Sequence, residues 1–366
     1  MKNKLALSCV ALSFFVVCAG ITYEPNESMA KVKTVSLPKN IKNNRYGFLS
    51  GGDNDTKLIR SYRARWVRPH PGSFLWDSIQ SVRDSGGYNF SSSDRIVKKY
   101  SRKKIGILAT LWPFTEWDQL TRENPDDCKV SDTDIFLPIS EEGKDGAGAE
   151  YIPQHRCNPN NWGEYLNWIK ATVERYDGDG VGDMKGLKIP VKYWEVMNEP
   201  DLEGTAELDF YVGGHADYTE LLTKTYAAVK EADPGAKVLI SGAAGGGDQY
   251  LGFYRDVLLD ETARNSFDVF NVHCISSGFL ESLNVEPYRE RIVEYGLQNK
   301  ALWVTEAETI ISDDPLANAN QTRSAVRKAF QLGASKVFFT RYSFSASQDY
   351  GFSDKFAKKY YRKIIK

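Results

Sequence analysis

One segment of the sequence, 192–200, places a carboxylic acid where it could transfer a proton. It reads Lys-Tyr-Trp-Glu-Val-Met-Asn-Glu-Pro, which predicts a strand that ends in a sharp turn. Because side chains alternate along a strand, we expect Tyr193, Glu195, Met197 and Glu199 on one face, with Glu199 last, at the mouth. A partly dry cleft disfavours the charged form of a carboxyl, so Glu199 is expected to act as a proton donor near neutral pH.

A second strand-like segment, 301–308, also ends in acids. It reads Ala-Leu-Trp-Val-Thr-Glu-Ala-Glu, and we expect Leu302, Val304 and Glu306 to share one face. Glu306 is the candidate reacting acid of this strand. Glu308 remains the alternative reacting acid if Glu306 points away from the cleft. Two facing carboxyls are what cleavage of a glycosidic bond needs, because one protonates the departing oxygen while the other attacks the anomeric carbon.

Both acids end strands within a regular alternation of short apolar runs and longer helical patterns, which predicts βαβ units around a parallel sheet. Eight strand candidates favour a single (β/α)8 barrel over an open sheet. They are Tyr46–Leu49, Ala64–Arg68, Ile105–Leu111, Val191–Asn198, Lys237–Ser241, Val269–Cys274, Ala301–Thr305 and Lys336–Arg341. Closure of the barrel would bring the fourth and seventh strands, and with them Glu199 and Glu306, across its mouth. A separation of about 5–5.5 Å would exclude water between them and give retention of configuration.

Four helices are predicted from the pattern. Asn161 precedes an apolar stripe and has Glu164 three residues later, the spacing of a capping box. Similar patterns predict helices over Tyr218–Ala232 and Thr322–Leu332, and a terminal helix over Lys355–Lys366.

The two acid-ended strands resemble the retaining glycoside hydrolases of clan A. In that clan the acid/base follows strand four in an Asn-Glu-Pro motif, and the nucleophile ends strand seven. The matching segments are Trp-Glu-Val-Met-Asn-Glu-Pro at 194–200 and Trp-Val-Thr-Glu at 303–306. The resemblance covers about residues 45–345 in strand order, although only these two motifs are specific. It implies that Glu199 is the general acid/base and Glu306 the nucleophile.

The resemblance also implies roles for two residues at strand ends. Arg68 would hold the nucleophile ionised, and His273 would line the sugar site. An ion pair inside the barrel and a hydrogen-bonded core histidine remain the alternatives for these residues. Clan members often have a tyrosine two residues after the histidine, where this chain has Ile275. Glu195 lies deeper on its strand, and we interpret it as the buried partner of a basic residue.

Further substrate contacts are expected from one amide and from aromatic side chains. Asn198, beside Glu199, can hydrogen-bond a substrate hydroxyl. Trp112 offers a flat face to a sugar ring, with loop packing as its alternative. Clan members often have a tryptophan floor after the last strand, where Tyr342 or Phe344 would have to serve.

About 50 residues follow the third strand before the helix near Asn161, and we predict a long loop insertion there. Cys128 and Cys157 both lie in it, and export to an oxidising compartment would favour a disulfide between them. Cys274 lies in an apolar run and is expected to be a free buried thiol.

Residues 177–183, Asp-Gly-Asp-Gly-Val-Gly-Asp, alternate carboxylates with glycines as calcium loops do. Asp177, Asp179 and Asp183 are therefore candidate ligands of a structural calcium ion, on the face of the barrel opposite the chemistry. The match to an EF-hand is incomplete, because Lys188 stands where a bidentate glutamate is needed, and a solvated acidic turn remains the alternative. No cofactor is expected for catalysis, because the sequence has no zinc, dinucleotide or phosphate-loop motif.

The first 20 residues have two lysines and then an apolar run, which predicts a signal peptide and a secreted, periplasmic or cell-surface location. Cys18 leaves open a lipid anchor. We expect an N-terminal extension over 21–40 and the catalytic domain over 41–366.

The net charge of −1 gives no general attraction for nucleic acid, so the expected partner is a carbohydrate. An inactive carbohydrate-binding barrel and a structural surface protein are the rival hypotheses.

Overall fold

The chain forms a closed barrel of parallel strands. The computed structural model describes residues 35–49, 55–69, 72–83, 87–130, 152–202, 209–347 and 353–365. The strands of this part are β1 Tyr46–Leu49, β2 Trp66–Arg68, β3 Gly106–Leu111, β4 Tyr193–Val196, β5 Lys237–Leu239, β6 Val269–Ile275, β7 Ala301–Glu308 and β8 Ala334–Phe339. Each pairs in parallel with the next, and β8 pairs with β1. The predicted (β/α)8 barrel is confirmed.

Helices follow the strands along the chain. Those of the described residues are α1 Lys39–Lys42, α2 Asp55–Ser61, α3 Trp76–Ile79, α4 Ser91–Arg102, α5 Glu116–Gln119, α6 Trp162–Tyr176, α7 His215–Ala232, α8 Asp248–Leu259, α9 Glu261–Asn265, α10 Val285–Glu294, α11 Pro315–Gln331 and α12 Lys355–Ile364. Short 3₁₀ turns lie at Pro125–Cys128 and Leu280–Ser282. None of these helices is long and apolar enough to cross a lipid bilayer. The predicted signal peptide and Cys18 lie outside the described residues.

The sequence predicted where helices occur more accurately than it predicted the residues at which they begin. The side chain of Asn161 accepts a hydrogen bond from the Glu164 amide, as predicted for the start of α6. Helix α11 begins at Pro315, well before the predicted start at Thr322. Proline is tolerated in the first turn of a helix because its missing N–H would have no partner there, and Asp314 caps this turn.

The barrel interior is filled at its amino-terminal end by large apolar side chains from several strands. Trp66, Leu108, Trp303 and Phe338 pack there as one buried cluster. Phe338 fits because β1 has a glycine opposite it. A Cβ on Gly47 would lie 2.3 Å from the Phe338 ring, so a larger residue would displace that ring. The apolar filling leaves the other end of the barrel for polar groups.

The long insertion after β3 is present and contains the predicted disulfide. Cys128 and Cys157 are bonded, with Cα atoms 5.2 Å apart. Beside the bond, Lys129 pairs with His155 in an isolated antiparallel bridge. Cys274 is a free, buried thiol, also as predicted.

We expect reduction of the Cys128–Cys157 bond to lower the free energy of unfolding by about 3 kcal/mol, because the bond restricts a loop of about 30 residues in the unfolded chain. Urea unfolding with and without reductant measures this difference. The double variant Cys128→Ser/Cys157→Ser should match the reduced protein. A chain without residues 1–20 should show one reactive thiol when denatured, and three would contradict the bond.

Candidate active site

A buried guanidinium connects strands across the carboxyl end of the barrel. Arg68 ends β2 and is fully buried. Its Nε donates to Glu195 Oε2 at 2.7 Å, its Nη1 to Glu306 Oε1 at 2.6 Å, and its Nη2 to Asn198 Oδ1 at 2.7 Å. Burial opposes the charge on Arg68, but the carboxylates of Glu195 and Glu306 outweigh burial and raise its pKa. One side chain thereby fixes the positions of three others.

The prediction that Glu195 is the partner of a basic residue is confirmed. Besides Arg68, its carboxylate accepts hydrogen bonds from Thr110 Oγ1 at 2.5 Å and from Asn271 Nδ2 at 2.6 Å. Glu195 is fully buried within this set of donors. It therefore serves as an anchor beneath the site and is not placed to meet a substrate.

The predicted alternation along β4 is wrong after its last residue. Met197 packs in the outer core, between barrel and helices, instead of facing inward. The backbone turns there, with positive φ at Met197 (71°) and Glu199 (43°). As a result Asn198 and Glu199 both reach into the barrel mouth, where strict alternation would have sent one of them outward.

The alternation predicted for β7 is wrong for a related reason. Trp303 faces the interior, while Leu302 and Val304 face the helices. The pairing of β7 with β8 shifts register between Val304 and Ala307. Such an irregularity adds a residue to one strand, and here Thr305 and Glu306 both face the interior.

The two candidate catalytic carboxyls come together as predicted. One oxygen of Glu199, one oxygen of Glu306 and a ring nitrogen of His273 all lie within 4.8 Å of one another. Both acids are largely buried. The nearest oxygens of the two acids are therefore closer than the roughly 6.5–9.5 Å between two carboxyls that seat a water, and their proximity is compatible with the roughly 5–5.5 Å of retaining glycosidases.

Hydrogen bonds determine which nitrogen of His273 is always protonated. Asn271 directs its amide nitrogen to Glu195, so its oxygen accepts from the hydroxyl of Thr305 at 2.8 Å. Since that hydroxyl proton is used, Thr305 Oγ1 must accept from His273 Nε2, 2.8 Å away. His273 Nδ1 lies 2.6 Å from Glu199 Oε1. That contact holds a single proton, carried either by the imidazole or by the carboxyl.

The charges around this contact oppose one another. Burial lowers the pKa of His273, but the carboxylates of Glu306 and Glu199 outweigh burial and raise it above the ordinary value of an imidazole. Burial raises the pKa of Glu306; the charges of His273 and Arg68 oppose that rise, and the charge of Glu199 adds to it. The proton between His273 and Glu199 therefore persists at a higher pH than on an isolated imidazole.

The alternative nucleophile, Glu308, lies in a different set of contacts. Its Oε1 accepts from Arg341 Nε at 2.9 Å, and its Oε2 accepts from Thr340 Oγ1 at 2.7 Å. Arg68 binds Glu306 instead. The geometry therefore favours Glu306 over Glu308 as the partner of Glu199.

Two predicted aromatic contacts need correction. Tyr342 is buried in the outer core, stacked on Phe48 with ring centroids 4.8 Å apart, and its hydroxyl donates to the Leu49 carbonyl. Phe344 is buried against Tyr361. Tyr342 and Phe344 fill space between β1, β8 and α12, so neither presents a face to a sugar.

Trp112 packs inside the protein, which was the alternative interpretation of this residue. Its side chain is fully buried, and its ring lies 5.9 Å from that of Phe210. It presents no exposed face on which a sugar could stack.

Three site residues were not identified from the sequence. Asn271 and Thr305 carry the chain of hydrogen bonds to His273, and only the alternation of β6 could have suggested Asn271. Asp201, two residues after Glu199, is buried and accepts from the Ala244 amide. Burial and the charge of Glu199 hold the pKa of Asp201 well above its ordinary value.

Gly242, just after β5, is a fourth such residue. A Cβ there would lie 2.0 Å from Nε2 of His273. The absence of a side chain at this position leaves the space that the imidazole occupies.

The candidate calcium ligands also come together. Carboxylate oxygens of Asp177, Asp179 and Asp183 lie within 4.8 Å of one another in the loop between α6 and β4. They already accept hydrogen bonds from loop amides, including those of Gly178 and Gly180. Burial raises the pKa of Asp177 to about 6. The loop precedes β4, whereas Glu199 follows that strand, so the loop is at the opposite end of β4 from the acid. Calcium binding remains a proposal.

Comparison with solved structures supports the fold. The chain is similar to a glucosidase from Croceicoccus marinus, at 14% identity and a TM-score of 0.59, covering 91% of this chain and 68% of that one. It is also similar to a family 39 glycoside hydrolase from Bacteroides cellulosilyticus WH2, at 17% identity and a TM-score of 0.55, covering 90% of this chain and 65% of that one. A third similar structure is xylanase 10B from Thermotoga petrophila RKU-1, solved with xylobiose, at 17% identity and a TM-score of 0.54, covering 91% of this chain and 99% of that one. No protein-family model matches the sequence, and no curated protein matches it either. At these identities the similarity shows a shared (β/α)8 fold.

For His273 we expect the neutral ring to keep its proton on Nε2, while Nδ1 loses its proton at a higher pH than an ordinary imidazole does, because the neighbouring carboxylates raise the pKa of the ring. Nitrogen-15 NMR of histidine-labelled protein distinguishes the two nitrogens. Thr305→Val removes the acceptor of Nε2–H and should allow both neutral tautomers, whereas Thr305→Ser keeps the hydroxyl and should behave as the native protein. A neutral ring protonated on Nδ1 in the native protein would contradict the hydrogen-bond assignment.

For the acidic loop we expect calcium to raise the melting temperature, since a ligand bound only by the folded state stabilises it. The increase should be larger at pH 8 than at pH 5, because Asp177, with a pKa of about 6, binds a proton in place of the ion at the lower pH. Asp179→Asn should reduce the shift. A melting curve that does not respond to calcium or to chelator would rule the site out.

Proposed function

We propose that the protein is an exported glycoside hydrolase that cleaves a β-glycosidic bond with retention of configuration. The observation that carries this proposal is the approach of Glu199 and Glu306 to within 4.8 Å across the barrel mouth, with Arg68 bound to one and His273 to the other. Export rests on the sequence of residues 1–20 alone. A lipid anchor at Cys18 would keep the protein at the cell surface.

In the first step Glu306 attacks the anomeric carbon and forms a glycosyl ester, while the protonated carboxyl of Glu199 gives its proton to the departing oxygen. Arg68 binds Oε1 of Glu306, which leaves Oε2 to attack. The guanidinium also favours the ionised form that a nucleophile needs, against the effect of burial. Asn198 accepts a hydrogen bond from the same guanidinium, and in this proposal it binds a substrate hydroxyl.

In the second step Glu199, now ionised, takes a proton from water, and the hydroxide releases the sugar from Glu306. His273 stays beside Glu199 in both steps. Before the first step the contact between them holds one proton, which the imidazole can carry and pass to Glu199 as the leaving group departs. That proton leaves with the departing oxygen, and the proton that Glu199 takes from water in the second step replaces it. His273 acts through Glu199 and is a positioning residue.

The proposed substrate class rests on the fold neighbours. Several of the neighbours' names describe enzymes that act on β-linked sugars, among them an endo-β-1,4-mannanase from Thermotoga petrophila and a β-galactosidase from Marinomonas ef1. The chemistry uses carboxylates, and no cofactor takes part in either step.

The two acids should fail in different ways when removed. Glu199→Ala should still be glycosylated by dinitrophenyl glycosides, whose leaving groups need little acid help, and its glycosyl ester should accumulate. Azide, a nucleophile that needs no base, should restore turnover and give a β-glycosyl azide. Glu306→Ala should give the α-glycosyl azide, because azide attacks directly in the vacated space. Product analysis by NMR identifies the anomer.

The matched control is Glu308→Ala, which removes the alternative acid and should retain normal turnover. If Glu308→Ala gave the inverted azide and Glu306→Ala were fully active, the nucleophile would be Glu308. Release of product with inverted configuration by the native protein would exclude the two-step mechanism. A native protein that binds aryl glycosides without hydrolysing them would favour the inactive carbohydrate-binding barrel.

A further inference from the structure

A second cavity, of about 540 Å³, lies at the amino-terminal ends of the strands. The first residues of β4, β5, β6 and β7 line it. Glu199 and Glu306 lie at the carboxyl ends of β4 and β7. The cavity is therefore at the end of the barrel opposite the candidate active site.

The lining of this cavity is strongly basic. Its ionisable cations are Lys42, Arg45, Lys237, Lys300 and Lys336, and the carboxylate among its lining residues is Asp268. Asp268 is already engaged, since its oxygens accept from Lys230 at 2.8 Å and from Lys237 at 3.0 Å. The remaining cations face the cavity without a carboxylate contact among the described residues.

Lys336 shows how these cations are held. It is buried, and its Nζ donates to the carbonyls of Lys42 at 2.8 Å and Asn44 at 2.6 Å. The ammonium also lies 4.6 Å from the ring centroid of Trp66 and 5.3 Å from that of Trp303. All of these partners are uncharged. Burial and the charge of Arg45 lower the pKa of Lys336 to about 7.

Two other cations of the cavity also donate hydrogen bonds to backbone carbonyl oxygens. Arg45 donates to the carbonyls of Ala334 and Ser335, and Lys300 donates to the carbonyl of Phe267 at 2.6 Å. Carbonyl oxygens orient a cation but do not neutralise it. The positive potential in the cavity is therefore available to an anion that enters from solvent.

We propose that this cavity binds a small dianion, the phosphate or sulfate group of a monoester. A dianion offers oxygen acceptors to several ammonium and guanidinium groups at once. The volume exceeds that of the anion alone and is in the range of pockets that hold small organic ligands, so it accommodates the organic part of an ester as well.

Such binding would be linked to protonation of Lys336. The ionisable groups that line the cavity with it are Lys42 at the end of α1, Arg45 before β1, Tyr193 on β4, Lys237 on β5, Asp268 before β6 and Lys300 before β7. A bound dianion favours the charged form of Lys336 against burial and against Arg45. Above pH 7 the anion should therefore bind together with a proton, and its affinity should fall as the pH rises.

Sulfate is the suitable probe, because it stays a dianion throughout the pH range in which Lys336 titrates. Calorimetry at pH 8 in two buffers of different ionisation enthalpy should show uptake of a proton on binding. Lys336→Met should bind sulfate roughly tenfold more weakly and without proton uptake. Lys103→Met, an exposed lysine at the end of α4, should bind as the native protein does. Absence of saturable sulfate binding, or proton uptake that survives in Lys336→Met, would overturn the proposal.

Two further variants serve as controls. One tests the cavity through an exposed residue whose replacement should not disturb folding, and the other tests whether sulfate binds at the candidate active site instead. Lys42→Gln changes an exposed lysine, and it should weaken sulfate binding while leaving proton uptake in place. Glu306→Ala should bind sulfate as the native protein does, whatever its effect on hydrolysis. Glucose 6-sulfate and glucose 6-phosphate then distinguish the two sources of the group, and failure of both sugars and of sulfate would exclude the site.

Discussion

The burial of Arg68 constrains the whole carboxyl end of the barrel. A guanidinium removed from water loses several kilocalories per mole of hydration free energy, and only acceptors in the right places offset this loss. Here β4 and the turn after it supply Glu195 and Asn198, and β7 supplies Glu306. The candidate nucleophile is thus also part of the compensation for a buried charge, so the geometry of the site and the stability of the barrel depend on the same contacts.

The two ends of the barrel interior complement each other. Trp66, Trp303 and Phe338 fill the amino-terminal end and exclude water from below. Above them, Glu195, Asn271 and Thr305 continue a network of hydrogen bonds toward His273. Hydrogen bonds are stronger in such a dry environment, and unpaired groups are more costly there. The apolar filling therefore helps to fix the imidazole that contacts Glu199.

The sequence predicted what depends on local pattern. Strand order, the insertion after β3 and the pairing of Glu199 with Glu306 followed from apolar periodicity and from acids at strand ends. The departures have a common cause, which is that strict alternation assumes regular strands. The turn at Met197 and the register shift after Val304 each bring two consecutive side chains inward. No local pattern marks such irregularities, because they arise from pairing with neighbouring strands.

Tyr342 illustrates a different limit. The resemblance to clan A enzymes implied that it contacts a sugar, yet its ring stacks on Phe48 beneath the terminal helix. An aromatic residue at a strand end can turn toward the mouth or toward the helices, and the residues that decide this lie at the other end of the chain. Only the closed barrel, in which β8 pairs with β1, brings those residues together.

Gly242 carries a consequence for how such a barrel diversifies over evolutionary time. Any side chain there would occupy the space of the His273 imidazole, since even a Cβ would lie 2.0 Å from Nε2. A single methyl group would therefore abolish the placement of a histidine 31 positions away in the sequence (273 − 242). Descendants that keep Glu199 and Glu306 but acquire alanine at this position would look intact by their motifs while having lost the partner of Glu199. An intact site therefore requires the space beside Gly242 as well as its reactive side chains.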